Sequence, residues 1–494
     1  MIMRTLTALA LTIATPAWAK EPPPTIESLR AEIRAGIDEY RSARHVPGTV
    51  YGVVKDGRLV LVEGLGVRDP ATNAPVDADT RFRIASMSKA FTALAILKLR
   101  DEGKVELEAP AARYVSEMRR WQLPPGARPI TVRDLLHHTA GFVEDNPWGD
   151  RQQVLSEAEF SALIAGGMDF ANAPGVRSEY SNYGYALLGR IVSNVSKQRY
   201  QDYIRAAIMR PLGMTSTGFD IAASPAGSRA IGQRWQDGSW VREPDMRDGA
   251  FGAMGGVETT ANDYAKWIAF LLSAWPAGEG ADNGPVKRAT VRDLVALGAP
   301  QPSVERSPEI GAPCRQGVTY GGGLRIVSDC DLGRVLTHTG GYPGYGSQMM
   351  LLPDAGVGMF VFNNLTYTSL SNANFRAMVA LRKAGAIPDR PLPVSEGLAR
   401  AYDFARTAWT SGSLEGVPLA NNVLLDMGAA ARAEGIAGLK QVVGACAMAE
   451  PIEPVSPMEG RFTWTCANGR VSGRVQRAPT GEFQLQVVEF RLGA

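Results

Sequence analysis

The chain has 494 residues, 45% hydrophobic and 21% charged, and 52 basic against 50 acidic side chains leave a formal net charge of +2. This composition excludes a disordered, collagen-like or coiled-coil chain, and the length predicts a large core. The balanced charge, with no block of five or more like charges, removes the electrostatic pull toward nucleic acid or an anionic lipid surface.

At the start, Arg4 precedes an apolar stretch from Leu6 to Ala14, and Ala17-Trp18-Ala19 follows. This is the pattern of a secretory signal cleaved after Ala19, so residues 1–19 are expected to be removed and the protein to be periplasmic or secreted. The apolar stretch is too short to span a bilayer, and no other window is long enough. Export lets cysteines pair. Four of them allow three connectivities, and proximity in the chain favours Cys314 with Cys330 and Cys446 with Cys466.

Leu29, Ile33, Ile37 and Tyr40 recur at helical spacing and predict an amphipathic helix. Two β-rich runs, Thr49 to Val54 and Leu59 to Leu65, meet at Asp56-Gly57 in hairpin fashion. A long middle section reads as mostly helical, with capping-box starts at Thr131 and Thr260. Strands return between Tyr320 and Asn363, with turns at Asp331-Leu332-Gly333 and Pro353-Asp354-Ala355-Gly356, and a helix from about Ser369 to Lys383 follows.

The fold class implied is α/β of the α+β type: an antiparallel sheet flanked by helices, plus a mostly helical lobe, with the ligand cleft between them. One domain is expected over 25–385 and a Pro-rich linker over 386–395. A small α+β module is expected over 396–494. Its helices run from Leu398 to Trp409 and Ala429 to Val443, its strands from Arg461 to Cys466, Arg470 to Arg477 and Phe483 to Phe490.

Three segments carry chemistry. Ser86-Met87-Ser88-Lys89 opens a helix, which sets a Ser near the positive end of the dipole with an amine on the same face. Tyr180-Ser181-Asn182 offers a phenol for proton relay and an amide for a substrate carbonyl. His338-Thr339-Gly340-Gly341 lies on a late strand, where Thr and His could hold a carboxylate and glycines admit a substrate backbone. Each has an ordinary reading when isolated: a capping Ser with a solvated Lys, a core Tyr beside a capping Asn, a glycine-rich turn. His137 and His138 end a helix, which suits a structural role. No nucleophile elbow is present, and the four histidines lack metal-ligand spacing, so neither a metal nor another cofactor is expected.

In this order the three segments resemble the β-lactamase and penicillin-recognising serine hydrolase superfamily. Arg83-Ile84-Ala85, Asp134-Leu135-Leu136-His137-His138-Thr139-Ala140-Gly141 and Gly252-Ala253-Met254-Gly255-Gly256-Val257 are similar to its class C and DD-peptidase branch. The similarity covers roughly Ile26 to Lys383 and not the C-terminal module. It implies a β-lactamase/transpeptidase-like fold with Ser86 as the acylated nucleophile. Lys89 and Tyr180 would be the proton-transfer pair, their order open; Asn182, His338, Thr339 and Gly340 would bind substrate, and the backbone N–H groups of Ser86 and Gly341 would form the oxyanion hole. His338 stands where β-lactamases usually present Lys, and a mostly neutral imidazole attracts a carboxylate less than an ammonium. That favours D-amino-acid peptides or small esters, peptidoglycan-derived ones included, over a β-lactamase reading. A non-catalytic penicillin- or wall-binding protein is the alternative of another class, and the oligomeric state is left open.

Overall fold

The computed structural model describes residues 23–277, 282–296 and 298–493. The expected secretory signal lies outside the described residues. Helix α1 (Arg30–Ala43) leads into β1 (Gly48–Lys55) and β2 (Arg58–Asp69), followed by the short β3 (Ala74–Pro75). At the β1–β2 turn Asp56 and Gly57 both take positive φ, 48° and 78°, as a two-residue hairpin loop requires. Helices α2 (Lys89–Asp101) and α3 (Asn182–Ser196) belong to the helical lobe, while α4 (Ala261–Leu272) packs on β1 and β2. The chain returns as β4 (Ala299–Glu305), β5 (Arg315–Tyr320), β6 (Arg325–Asp329), β7 (Gly333–Tyr342), β8 (Tyr345–Leu352) and β9 (Val357–Asn363), then α5 (Ser371–Lys383). Together these strands form a nine-stranded antiparallel sheet in the order β3-β2-β1-β9-β8-β7-β6-β5-β4.

The central strands read as continuous apolar runs because both faces are covered. Along β1, Val50 and Val54 face one core while Tyr51 and Val53 face the other. In β9, Phe360 and Phe362 alternate with Met359 and Val361 in the same way. The first core takes Phe91 and Leu94 of α2, Leu188 of α3 and Trp267 of α4. The second is closed by Ile33 and Ile37 of α1 and by Phe375 and Met378 of α5.

Several details differ from expectation. Within the mostly helical middle section, Gln233–Gln236 and Ser239–Arg242 form a hairpin, and Phe82–Arg83 pairs with Glu258–Thr259. Thr131 makes a full capping box with Asp134, but Thr260 makes half of one. The Asp263 carboxylate turns away to Ser216 N at 2.6 Å and Thr217 Oγ1 at 3.0 Å. Helix α5 starts at Ser371, because Leu370 holds a left-handed φ of 49°. The Pro-rich segment is docked as far as Arg390: Ile387 is buried in the second core, and Arg390 donates to the carbonyls of Trp275 and Pro353.

Residues beyond it have their own core. Helices α6 (Glu396–Ser411) and α7 (Ala429–Val443) pack on a sheet of β10 (Cys446–Ala447), β11 (Glu453–Ser456), β12 (Glu459–Cys466), β13 (Gly469–Arg477) and β14 (Leu485–Leu492). Tyr402, Trp409 and Trp464 sit at its centre. The last strand begins two residues later than expected, as Phe483 leaves the ladder to lie under Arg400, 4.3 Å from its ring. Both expected disulfides, Cys314–Cys330 and Cys446–Cys466, are present. Among the described residues no helix is long and apolar enough to cross a membrane.

Candidate active site

Ser86 lies on a single 3₁₀ turn, Ala85–Ser88, that feeds directly into α2. Ala85 takes a left-handed φ of 48°, so the chain bends sharply just before the hydroxyl. The segment Gly252–Val257 is strapped to the same helix. Ala253 O accepts from Thr92 Oγ1 at 2.7 Å, and Val257 N donates to Ser88 Oγ at 3.0 Å. Ser86 keeps 7% of its surface exposed, whereas Lys89 is fully buried.

The Lys89 Nζ has three neighbours: Asn182 Oδ1 at 2.7 Å, Met254 O at 2.8 Å and Ser86 Oγ at 3.1 Å. Two are pure acceptors and hold two N–H bonds. The third is a hydroxyl, which can receive an N–H from an ammonium or give its own proton to a free amine. Burial lowers the Lys89 pKa to about 7, against the opposing pull of the Asp150 and Asp145 carboxylates. Both forms of the amine are therefore populated near neutrality.

The Tyr180-Ser181-Asn182 turn is fixed from two directions. Asp145 accepts from Asn182 N at 2.7 Å, Tyr183 N at 2.8 Å and Ser181 Oγ at 3.0 Å, which anchors the first turn of α3. Ser181 N donates to His138 Nδ1 at 3.1 Å. The Tyr180 ring lies 4.8 Å from Lys89 Nζ, and its phenol is turned toward the Ser86 hydroxyl. Burial raises the Tyr180 pKa well above its ordinary value, so the group stays a phenol. The Asn182 side chain is wholly buried, its Oδ1 taken by Lys89 and its Nδ2 by Asn146 Oδ1 at 2.6 Å, so it holds the lysine in place.

Strand β7 presses against the turn that carries Ser86. A Cβ on Gly340 would run into Ile84 O and Ser347 Oγ, which is why only glycine fits there. Thr339 is exposed, while His338 is turned inward. The His338 Nδ1 faces Thr339 O at 2.6 Å and so carries the proton; its Nε2 meets the Tyr320 hydroxyl at 2.9 Å. Burial, then the charges of Lys89 and Arg325, push its pKa down to about 3. The imidazole is thus neutral, with both nitrogens engaged within the protein. His137 and His138 are also buried and neutral, the first lowered by burial to about 4. Their placement is structural, but as buried bases and not as dipole-facing cations.

Sequence reasoning missed Asp145, Asn146, Asp150, Tyr320 and Arg325. Arg325 on β6 sits opposite Thr337, two residues before Thr339. It is exposed, no carboxylate pairs with it among the described residues, and its charge is felt at Tyr180, Tyr320 and His338. One signal was legible. The run Gly321-Gly322-Gly323 between Tyr320 and Arg325 marks a close backbone approach, and a Cβ on Gly323 would meet Ala90 N of α2 at 2.5 Å.

The covered antiparallel sheet, the helical lobe and the buried Ser86–Lys89 pair define a hydrolase fold of the β-lactamase type. The Beta-lactamase family model matches residues 33–382, and the chain belongs to that family. Protein flp of Staphylococcus aureus (strain N315) is 30% identical over 330 residues, a match covering 65% of this chain and 60% of that protein. This chain thus spans under two thirds of that relative's length. A protein of Mycobacterium tuberculosis (strain CDC 1551 / Oshkosh) named uncharacterized protein MT1414 is 30% identical over 356 residues, covering 65% of this chain and 86% of the other. In fold, the octameric penicillin-binding protein homologue from Pyrococcus abyssi superposes with a TM-score of 0.62 at 22% identity, over 93% of this chain and 99% of that one. The β-lactamase/D-alanine carboxypeptidase from Pseudomonas syringae gives 0.57 at 19% identity, over 72% and 98%.

Proposed function

We propose that the protein is an exported serine hydrolase that acylates Ser86 and acts on amide or ester bonds of small substrates, D-amino-acid peptides above all. The observation that carries this reading is the Lys89 amine, 3.1 Å from Ser86 Oγ, with its other two contacts made to acceptors. The free amine takes the Ser86 proton as Oγ bonds to the substrate carbonyl carbon. Because Tyr180 is held as a phenol and Lys89 is not held as an ammonium, Lys89 is the first base. The backbone N–H groups of Ser86 and Gly341 receive the oxyanion, a contribution of a few kcal/mol. The leaving nitrogen or oxygen departs with the proton passed from Lys89 through Tyr180, and water then releases the acyl group.

Arg325 favours a peptide with a free carboxylate, the fixed cation that His338 does not supply, with Thr339 beside it. The D-alanine carboxypeptidase in the name of one structural neighbour agrees with this substrate class. β-Lactamase activity uses the same acyl-Ser86 chemistry and is the second reading. A silent binding protein is disfavoured, because Ser86, Lys89 and Tyr180 are all present and adjoining. Two disulfides support an oxidising compartment and hence export.

The test is the intact mass of the mature protein after incubation with benzylpenicillin, with drug loss followed in parallel. A lasting adduct on Ser86, absent from Ser86→Ala, is the expected result. Drug consumed without an adduct would make the protein a β-lactamase, and turnover surviving in Ser86→Ala would remove Ser86 from the mechanism.

A further inference from the structure

Asp150 is a buried carboxylate near the Lys89 cluster that the proposed acylation chemistry does not use. The short helix Trp148–Arg151 holds it with 2% of its surface exposed. No lysine, arginine or histidine lies within ion-pair distance of it among the described residues. Among the described residues its one hydrogen bond comes from the phenol of Tyr367, at 3.1 Å, so most of its acceptor sites are unused there.

Two contacts place the group. The preceding Gly149 abuts Asn182, the side chain that holds Lys89: a Cβ on Gly149 would lie 2.6 Å from Asn182 Cβ. On the other side the Tyr367 ring lies over Gly341, with Cδ1 2.9 Å from where a Cβ would stand. Asp150 therefore sits between the lysine cluster and the strand expected to supply the oxyanion N–H. The Lys89 amine feels its charge more than any other carboxylate's.

A buried carboxylate without a counter-ion is unfavourable, and burial raises the Asp150 pKa to about 6, so a cation that reached it would hold it in its charged form. The Tyr367 phenol is a partial substitute. Its residue is 44% exposed and takes a left-handed φ of 53°, on the loop that crosses the end of β7, so it lies at the surface of the cleft and not within the core. The cations that face Asp150 are the Lys89 amine, already committed to three partners, and Arg151 on its own turn. Neither completes the carboxylate, which leaves acceptor sites for a donor brought by the substrate.

We propose that Asp150 and Tyr367 form a receptor for the free α-amino group of the residue whose carbonyl is attacked, so that the enzyme prefers acyl donors with an unblocked amino terminus. The proposal rests on the acyl-Ser86 reading and deepens it. An α-ammonium is two bonds from the reacting carbonyl, which matches a carboxylate set between Lys89 and Gly341. Arg325 takes a carboxylate on the leaving side, so the cleft is complementary to a short zwitterionic peptide.

The experiment compares kcat/KM for D-alanine p-nitroanilide with that for N-acetyl-D-alanine p-nitroanilide, in the wild type and in Asp150→Asn. The wild type is expected to favour the free amine by on the order of 10²-fold, and the variant to bring the ratio close to one. Any effect of Asp150 on the Lys89 amine acts on both substrates and cancels in the ratio, which separates amine recognition from tuning of the base. A ratio unchanged by the substitution, or a wild-type preference for the acetylated substrate, overturns the proposal. So does a wild type inert to both substrates while still forming the penicillin adduct, a result that leaves acyl-Ser86 intact. Absence of turnover and adduct together overturns both. Where Asp150→Asn does not fold, competition in the wild type decides: D-alaninamide should slow penicillin acylation at lower concentration than N-acetyl-D-alaninamide, and equal or reversed potency overturns the receptor.

Discussion

Lys89 shows how one residue's surroundings set its chemistry. Removing the amine from water lowers its pKa to about 7, while the nearby carboxylates keep it from falling further. The deprotonated form is the proposed base, so the acylation rate should rise with pH up to about 7 and level off above it. Below that point each unit of pH lost costs about tenfold. The rate of penicillin adduct formation between pH 5 and 9 checks this, and a flat profile would mean that Lys89 is not the base. In Asp150→Asn the midpoint should move down, since a charge that favours the ammonium has gone. Ser86 and Lys89 were legible because i and i+3 on a helix share a face, a relation that spacing alone reveals. Asp145, Asp150 and Arg325 were not. Each reaches the site from a turn or strand whose position depends on tertiary packing, and no local periodicity announces it. The Asn182 and His338 side chains were legible in identity, but not their burial or their internal partners, which depend on tertiary packing.

Between elements, the decisive fit is that of β7 against the turn carrying Ser86. Gly340 faces Ile84 O and Ser347 Oγ, and Ser347 Oγ in turn donates to Ile84 O at 2.8 Å, so strand and turn are joined at this point. Gly340→Ala should displace the turn that carries Ser86. A loss of stability of about 1–3 kcal/mol is expected from the overpacking, together with a collapse of penicillin acylation. Gly57→Ala is the matching control. It carries a left-handed φ of 78° on an open turn with no atom near the new methyl group, so only about 1–2 kcal/mol of backbone strain and unaltered acylation are expected. Thermal melts and adduct mass on the two variants separate the effects; equal acylation in both would show that the Gly340 contact does not position Ser86. The long strands of this sheet were readable because two covered faces make uninterrupted apolar runs. The pair Phe82–Arg83 with Glu258–Thr259 was not, since two residues carry no period, and β4 hides its ladder behind exposed side chains and two prolines.

At the scale of the whole molecule, the chain builds three cores. Two share the nine-stranded sheet, and the third draws only on residues from Leu398 onward. No hydrogen bond or ion pair among the described residues joins that third core to the sheet or the helical lobe. Arg390 is the last side chain tied to the first part, through Trp275 O and Pro353 O. A chain ending at Pro393 keeps these anchors, both hydrophobic layers around the sheet and every residue of the candidate site. It is expected to fold, to melt within a few degrees of the catalytic transition of the full chain, and to acquire the Ser86 adduct at an undiminished rate. The converse fragment, residues 394–494, retains its own aromatic centre and the Cys446–Cys466 bridge and should melt as a separate cooperative unit. A drop in acylation without a drop in melting temperature would mean instead that the C-terminal module shapes the cleft. The free-amine preference measured on the shortened chain would then tell whether it does so at the Asp150 side.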